Sequence, residues 1–241
     1  MSSSDLICVF DVETTGLPDP VTRYKASAMN THLWPHIIEF AYVIVNIKTN
    51  KIVKWKNELI KIPENVTLQG EEIHGISRPF LDLYGKRLID VLCEFWLDVT
   101  DVSQLIAHNI DFDINMVRAE CYRILNNLKP DEKVDFEALY IPFNRRINNK
   151  SLKTICTMKE NKDECKIVKY WDDGKKYHKW PTLLELHEHV FGTKIEDLHC
   201  ALKDVLVCIK CHYKLIYKND ELTNQCNDML EKVIRYNQTS E

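Results

Sequence analysis

No apolar run in this chain of 241 residues is long enough to cross a bilayer. No internal repeat, low-complexity tract or linker-like stretch divides it, so it reads as one domain over residues 1–241. Met1-Ser2-Ser3-Ser4-Asp5 carries no secretory h-region and leads straight into an apolar strand. The nine cysteines lie scattered, so they are expected to stay reduced inside a cell, in the cytoplasm or the nucleus. Cys208-x-x-Cys211-His212 looks like half of a zinc site, but no second Cys pair stands at a matching spacing. The motif also falls in an apolar helical pattern, where i and i+3 share a face, which favours buried helix cysteines. An excess of positive charge is missing too. The net charge is −4, which does not advertise a nucleic-acid binder.

What is present is an ordinary globular composition, 45% hydrophobic and 28% charged, sufficient to bury a real core. The charge is unevenly placed. Residues 144–180 hold eleven Lys/Arg against five Asp/Glu, a local balance of +6 that leaves −10 for the remainder. The same stretch holds Tyr170, Trp171, Tyr177 and Trp180. Cations track phosphates and aromatic rings stack on bases, so this basic insertion is either a polynucleotide-binding segment or a solvated surface excursion.

Leu6 to Phe10 is a short, apolar, partly β-branched run and reads as a buried strand. His36 to Asn46 and Lys51 to Ile60 are two more strands joined by a turn at Lys48-Thr49-Asn50. Leu81 to Leu97 has helical apolar spacing. A short strand follows at Ser103 to Ala107. Asp111 to Leu125 is a helix with Ile114, Val117, Cys121 and Ile124 on one face. Leu152 to Cys156 is a candidate fifth strand. Thr182 to Phe191 is a helix between Pro181 and Gly192. Leu198 to Tyr217 is the longest helical pattern, and a last helix covers 221–236. Residues 126–150 carry no clear pattern. A hairpin-rich start followed by helix–strand alternation implies an α/β fold, a mixed five-stranded sheet flanked by helices.

Three acidic motifs punctuate these elements. Phe10-Asp11-Val12-Glu13-Thr14-Thr15-Gly16-Leu17 ends the first strand. Strand residues i and i+2 share a face, so Asp11 and Glu13 project together. Two like charges at a core edge are costly unless a cation neutralises them, and a divalent metal would do so. The plain alternative is a solvated strand end. His108-Asn109-Ile110-Asp111-Phe112-Asp113 runs from a strand into a helix. Residues two apart on a helix point about 200° away from each other, so only one of Asp111 and Asp113 can face the strand ends. His199-Cys200-Ala201-Leu202-Lys203-Asp204 opens the long helix. Five residues is not a same-face spacing, so His199 must lie in the loop or first turn if it works with Asp204.

Together the three motifs resemble the DEDDh, or DnaQ-like, exonucleases on a ribonuclease H-like fold. The likeness covers roughly Leu6 to Tyr217. It implies Asp11 and Glu13 as metal ligands, selects Asp113 over Asp111, and adds Asp204 as the fourth ligand. The sister class has a tyrosine four residues before the last Asp. Here Cys200 holds that position and His199 stands five before, as in the histidine class. By this pattern Asp11 bridges two ions, Mg2+ or Mn2+, roughly 3.5–4 Å apart. Glu13 and Asp204 complete the nucleophile side and Asp113 the leaving-group side. His199 takes the proton of the attacking water. The resemblance further implies that Glu13 and Thr14 meet the terminal 3′ hydroxyl, Leu17 packs on the last base, His108 approaches a phosphate, and Phe112 walls the terminal sugar. The activity implied is 3′→5′ hydrolysis of single-stranded DNA or RNA ends, releasing nucleoside 5′-monophosphates, with a polymerase as a further conceivable partner. The opposing class is a catalytically idle module of the same family that binds nucleic acid or a polymerase. A metal-dependent phosphatase would need an Asp-x-Asp nucleophile motif, which Asp11-Val12-Glu13 does not supply.

Overall fold

The computed structural model describes residues 4–22, 25–127, 146–147, 150–195 and 198–238. Much of the patternless stretch 126–150 lies outside the described residues, as do positions 144–145 and 148–149 of the basic insertion.

The strands are β1 (Leu6–Thr14), β2 (Ile37–Asn46), β3 (Lys51–Leu59), β4 (Gln104–Ala107), β5 (Arg146–Ile147), β6 (Lys150–Ser151), β7 (Lys153–Cys156), β8 (Val168–Tyr170) and β9 (Lys176–His178). Five of them form a mixed sheet in the order β3-β2-β1-β4-β7. The hairpin members β1, β2 and β3 run antiparallel, and β4 and β7 add in parallel on the far side of β1. The sequence explains the order. β2 is an almost uninterrupted apolar run and is buried on both faces, as an interior strand must be. β3 alternates exposed and half-buried positions and occupies an edge.

The helices are α1 (Glu71–His74), α2 (Arg78–Tyr84), α3 (Leu88–Asp98), α4 (Ile110–Asn127), α5 (Thr157–Glu160), α6 (Lys162–Cys165), α7 (Leu183–Phe191), α8 (Ala201–Tyr217) and α9 (Glu221–Gln238). They cover both faces of the sheet, and the strand period of two assigns each β1 side chain to a side. Cys8, Phe10 and Val12 pack with Phe40, Tyr42, Phe95 of α3 and Val117 of α4. Ile7 and Val9 pack with Val43, Leu202 and Val205 of α8, and Leu222 of α9. Asp11 and Glu13 continue the second series, so they leave the sheet on the α8 side.

The helical pattern expected over Leu81 to Leu97 is two helices. Gly85 separates them because the next residue is taken by the sheet. Lys86 donates its N–H to Leu59 O at 2.8 Å and accepts from Lys61 N–H at 2.9 Å. A Cβ on Gly85 would lie 2.4 Å from Leu81 O and 2.7 Å from Lys61 N, so only glycine lets the backbones approach. The segment before Ile76 holds the short helix α1. The other expected elements stand within a few residues of their sequence-based positions, whereas β5, β6, β8, β9, α5 and α6 have no counterpart in the sequence reading. Thr182 caps α7 reciprocally with Glu185, a capping box. All nine cysteines are free, and Cys208, Cys211 and His212 are buried in α8. No helix among the described residues is long and apolar enough to cross a membrane.

A buried ion pair ties α4 to the approach of β2. Glu120 Oε1 accepts from Ile37 N–H at 3.1 Å and lies 3.1 Å from His36 Nδ1 and 2.9 Å from Arg123 Nη1. Arg123 in turn donates to the carbonyls of Thr31, Trp34 and Pro35. Glu120→Ala leaves that guanidinium without its carboxylate and Ile37 N–H without an acceptor. The expected loss is about 3–5 kcal/mol. Urea unfolding checks it, as a lower midpoint with an unchanged slope.

Candidate active site

β1 outruns its parallel neighbour. The β1–β4 pairing ends at Val9↔Ile106, and β4 stops at Ala107, while β1 continues to Thr14. The exposed flank of β1 is where the three acidic motifs meet. Ligands in open α/β sheets gather at just such carboxyl ends of parallel strands.

Asp113 fills the gap from one side. Asn109 turns the chain at φ +69, a left-handed conformation that asparagine tolerates, and starts α4 directly after β4. Asp113 is thereby 1% exposed, and its Oδ1 accepts from Val12 N–H at 3.3 Å. Asp111 points elsewhere. It is exposed and forms an ion pair with Lys159. The geometry thus separates the two aspartates as their helical spacing requires, and it is Asp113 that reaches the strand end.

Asp204 arrives from the other side, in the first turn of α8. Its Oδ1 accepts from His199 N–H at 3.4 Å. Oxygens of Asp11, Glu13 and Asp204 all lie within 4.8 Å of one another. His199 sits in the loop before α8, exposed, at φ +90. A histidine in that region of backbone space is uncommon and signals a local constraint.

Packing several carboxylates together out of water has an electrostatic consequence. Burial, and then the charges of Asp113, Asp204, Glu13 and Glu39, hold Asp11 well above the usual carboxylate range. Burial with Asp204, Glu39 and Asp113 lifts Glu13 to about 8. Burial lifts Asp113 to about 8 against the opposing help of the Val12 N–H. Burial also lifts Asp204 to about 7, with the His199 N–H opposing. A positive charge placed among these carboxylates would relieve their repulsion. The site's donors are hard oxygens, the kind that magnesium and manganese take. Asp113 Oδ2 is buried with no hydrogen-bond partner among the described residues. An orphaned buried carboxylate oxygen is costly, and a cation would satisfy it. The residues present therefore fit a divalent metal.

Glu39 was not among the sequence candidates, and it belongs here. It lies opposite Glu13 in the β1–β2 register, 4% exposed. Oε2 accepts from Ala201 N–H at 2.8 Å, and Oε1 accepts from Asn57 Nδ2 at 2.8 Å. Glu39 is thus a cap from a strand to the first residue of α8, three residues before Asp204. The one signal in the sequence was a glutamate inside the apolar run IIEFAYVIV, since buried charge is the informative exception.

The other sequence-derived positions are spread around this cluster. Leu17 is 85% exposed, an unusual setting for a leucine. Thr14 donates its hydroxyl to Gly16 O at 2.7 Å. Phe112 lines a cavity of about 490 Å³ together with Pro18, Lys25, Trp34 and Arg118. His108 is occupied. Its Nε2 donates to Pro181 O at 3.1 Å, and Nδ1 lies 3.0 Å from Thr157 Oγ1. Burial pulls its pKa down to about 4, so the ring is neutral and the Thr157 hydroxyl donates to it.

The sequence model of a family described as Exonuclease matches residues 8–211. The chain belongs to that family, the one its three motifs resemble. Solved structures agree at the level of the fold. The nuclease domain of 3′hExo, described as a DEDDh family member bound to rAMP, is 19% identical at a TM-score of 0.58, covering 92% of this chain and 96% of that one. A 3′-exonuclease recognising the 3′ end of a histone mRNA stem-loop is 18% identical at 0.58, over 92% of this chain and 66% of its own. E. coli exonuclease I with a dA16 oligonucleotide is 14% identical at 0.54, over 87% and 41%. The chain therefore spans less than half of that last protein. A comparison with curated protein sequences finds no match. The family makes the chain an exonuclease, a hydrolase, and the acidic cluster is compatible with the divalent metals such enzymes use.

Proposed function

We propose that the protein removes nucleoside 5′-monophosphates one at a time from the 3′ ends of single-stranded DNA or RNA, using two divalent ions, Mg2+ or Mn2+. One observation carries this reading: Asp11, Glu13 and Asp204 bring carboxylate oxygens within 4.8 Å of one another at the end of β1, Asp113 bonds Val12 of the same strand, and its buried Oδ2 has no hydrogen-bond partner among the described residues. Asp11, Glu13, Asp113 and Asp204 are the residues that would hold the ions. Bound there, the metals supply an activated water and charge relief on the phosphate.

The protein's own residues do the rest. His199 accepts a proton from the attacking water. Its exposed position, tethered through its own N–H to Asp204, supports that assignment. Glu13 and Thr14 receive the terminal hydroxyl. Exposed Leu17 covers the last base, and Phe112 with its cavity receives the sugar. The cations Lys25 and Arg118 at that cavity suit a polyanion. With both ring nitrogens engaged, His108 serves a nearby phosphate through the position of the segment it anchors. The idle-module reading would be favoured by a missing ligand; the sequence keeps Asp11, Glu13, Asp113, Asp204 and His199, which supports the active reading.

The test is direct. Purified protein is incubated with 3′-labelled and 5′-labelled single strands of DNA and RNA, in magnesium, manganese or EDTA. The expected result is stepwise shortening from the 3′ end that EDTA abolishes. Binding without shortening in either metal would overturn the proposal in favour of the idle module.

A further inference from the structure

The basic stretch singled out in the sequence contains an element with no core. β8 and β9 pair as Val168↔His178, Lys169↔Tyr177 and Tyr170↔Lys176, joined by a turn around Gly174. A two-stranded hairpin is marginal by itself, and this one leaves large apolar groups in water. Val168, Tyr170, Trp171 and Trp180 are 46%, 62%, 58% and 53% exposed. Trp171 stacks on Tyr177 with ring centroids 4.3 Å apart, and Lys176 Nζ stands 5.9 Å over the Tyr170 ring. Residues 166–180 carry five lysines against two aspartates on a chain of net charge −4. Exposed flat rings interleaved with lysines match a single-stranded polynucleotide, bases to rings and phosphates to ammonium groups.

The placement of the hairpin selects which polynucleotide. Its base is fixed to the end of the sheet that carries the acidic cluster. Lys179 N–H closes the hairpin on Ile167 O at 2.9 Å, and Pro181 O then accepts from His108, which directly follows β4. Thr157, which directly follows β7, bonds the same ring. β4 is the neighbour of β1 and β7 the next strand out. With strands about 4.8 Å apart, the hairpin base stands roughly 10 Å across the sheet from β1. From Pro181 back to Lys175 is six residues, so extended backbone reaches about 20 Å further.

We infer that the β8–β9 hairpin is a strand-holding arm: the single strand upstream of the scissile end lies along its rings and lysines while the 3′ end sits at Asp11. This rests on the exonuclease reading for the identity of the strand. The arm makes affinity depend on length. A dinucleotide, about 7 Å long at roughly 3.4 Å each, fills the acidic site and ends short of the arm. A strand of about 20 nucleotides, at roughly 3.4 Å or more each, spans both.

Two variants test it. Tyr170→Ala/Trp171→Ala/Trp180→Ala removes the rings, and Lys169→Gln/Lys176→Gln removes charge while keeping the rings that stabilise the hairpin. Binding to labelled strands of both lengths is measured in EDTA across a salt series, which separates this proposal from hydrolysis. The expected result is at least tenfold weaker binding of the long strand by the ring variant, with the short strand unchanged. The lysine variant should lower the salt slope by about 0.7 for each phosphate that a lysine no longer neutralises. In magnesium, KM for the long strand should rise while kcat on the short strand holds. Unchanged long-strand binding in both variants at low and high salt overturns the arm. A wild-type protein that binds long strands through the arm but cleaves nothing would overturn the exonuclease proposal instead.

Discussion

Asp11→Asn is expected to give a folded protein that shortens no strand, with a loss of at least about 10³-fold. Asp11 is the residue every other acid of the cluster touches electrostatically, and it stands on the central strand rather than on a helix that can shift. Asparagine keeps its volume and removes its charge. The same change should raise the stability of the metal-free protein, and the sign follows from the titration. The folded carboxylates are lifted toward 7–8 by burial and by each other, whereas in the unfolded chain they ionise near 4. Below about pH 4 both states are protonated and the cluster is harmless. As the pH rises through the folded values, the unfolded chain has already lost its protons and the metal-free fold loses stability. In EDTA the variant should therefore melt above wild type at pH 8, by a margin that shrinks toward pH 5. Magnesium or manganese should narrow the gap by stabilising wild type alone. Normal trimming by the purified variant would sink the assignment of Asp11.

His199→Asn is expected to lower kcat by about 10²–10⁴-fold with little change in melting temperature. The choice of asparagine matters. His199 holds φ +90, where β-branched residues are strained and asparagine is tolerated, so the replacement keeps the loop and the N–H bond to Asp204. Only the imidazole is lost. A general base has a further signature: the residual activity should rise with pH as hydroxide replaces the missing group. Full activity with an unchanged pH profile would leave His199 a loop residue.

Much of this architecture was legible in the sequence because it follows local periods. The strand period of two put Asp11 and Glu13 on one face, and the helical period forced a choice between Asp111 and Asp113. The location of His199 before α8 followed from a spacing that no helix face accommodates. What stayed illegible depends on distant partners. Glu39 was one more letter of an apolar strand until Ala201, 162 residues away, supplied its N–H. The break at Gly85 needed β3 beside it. The engagement of His108 by Pro181 and Thr157 joins segments 73 and 49 residues apart. Apolar periodicity carries no record of such pairings.

Glu39 has a mechanical consequence as well. It is steadied by Asn57, and Asn57 belongs to β3, the edge strand of the sheet. Edge strands fray at a fraction of the free energy needed to unfold a domain. Each fraying event withdraws a support from the carboxylate that pins the start of α8, and with it Asp204. The acidic cluster is therefore tuned from the rim of the molecule. The order at Asp204 thus depends in part on a strand that contributes no carboxylate to the cluster.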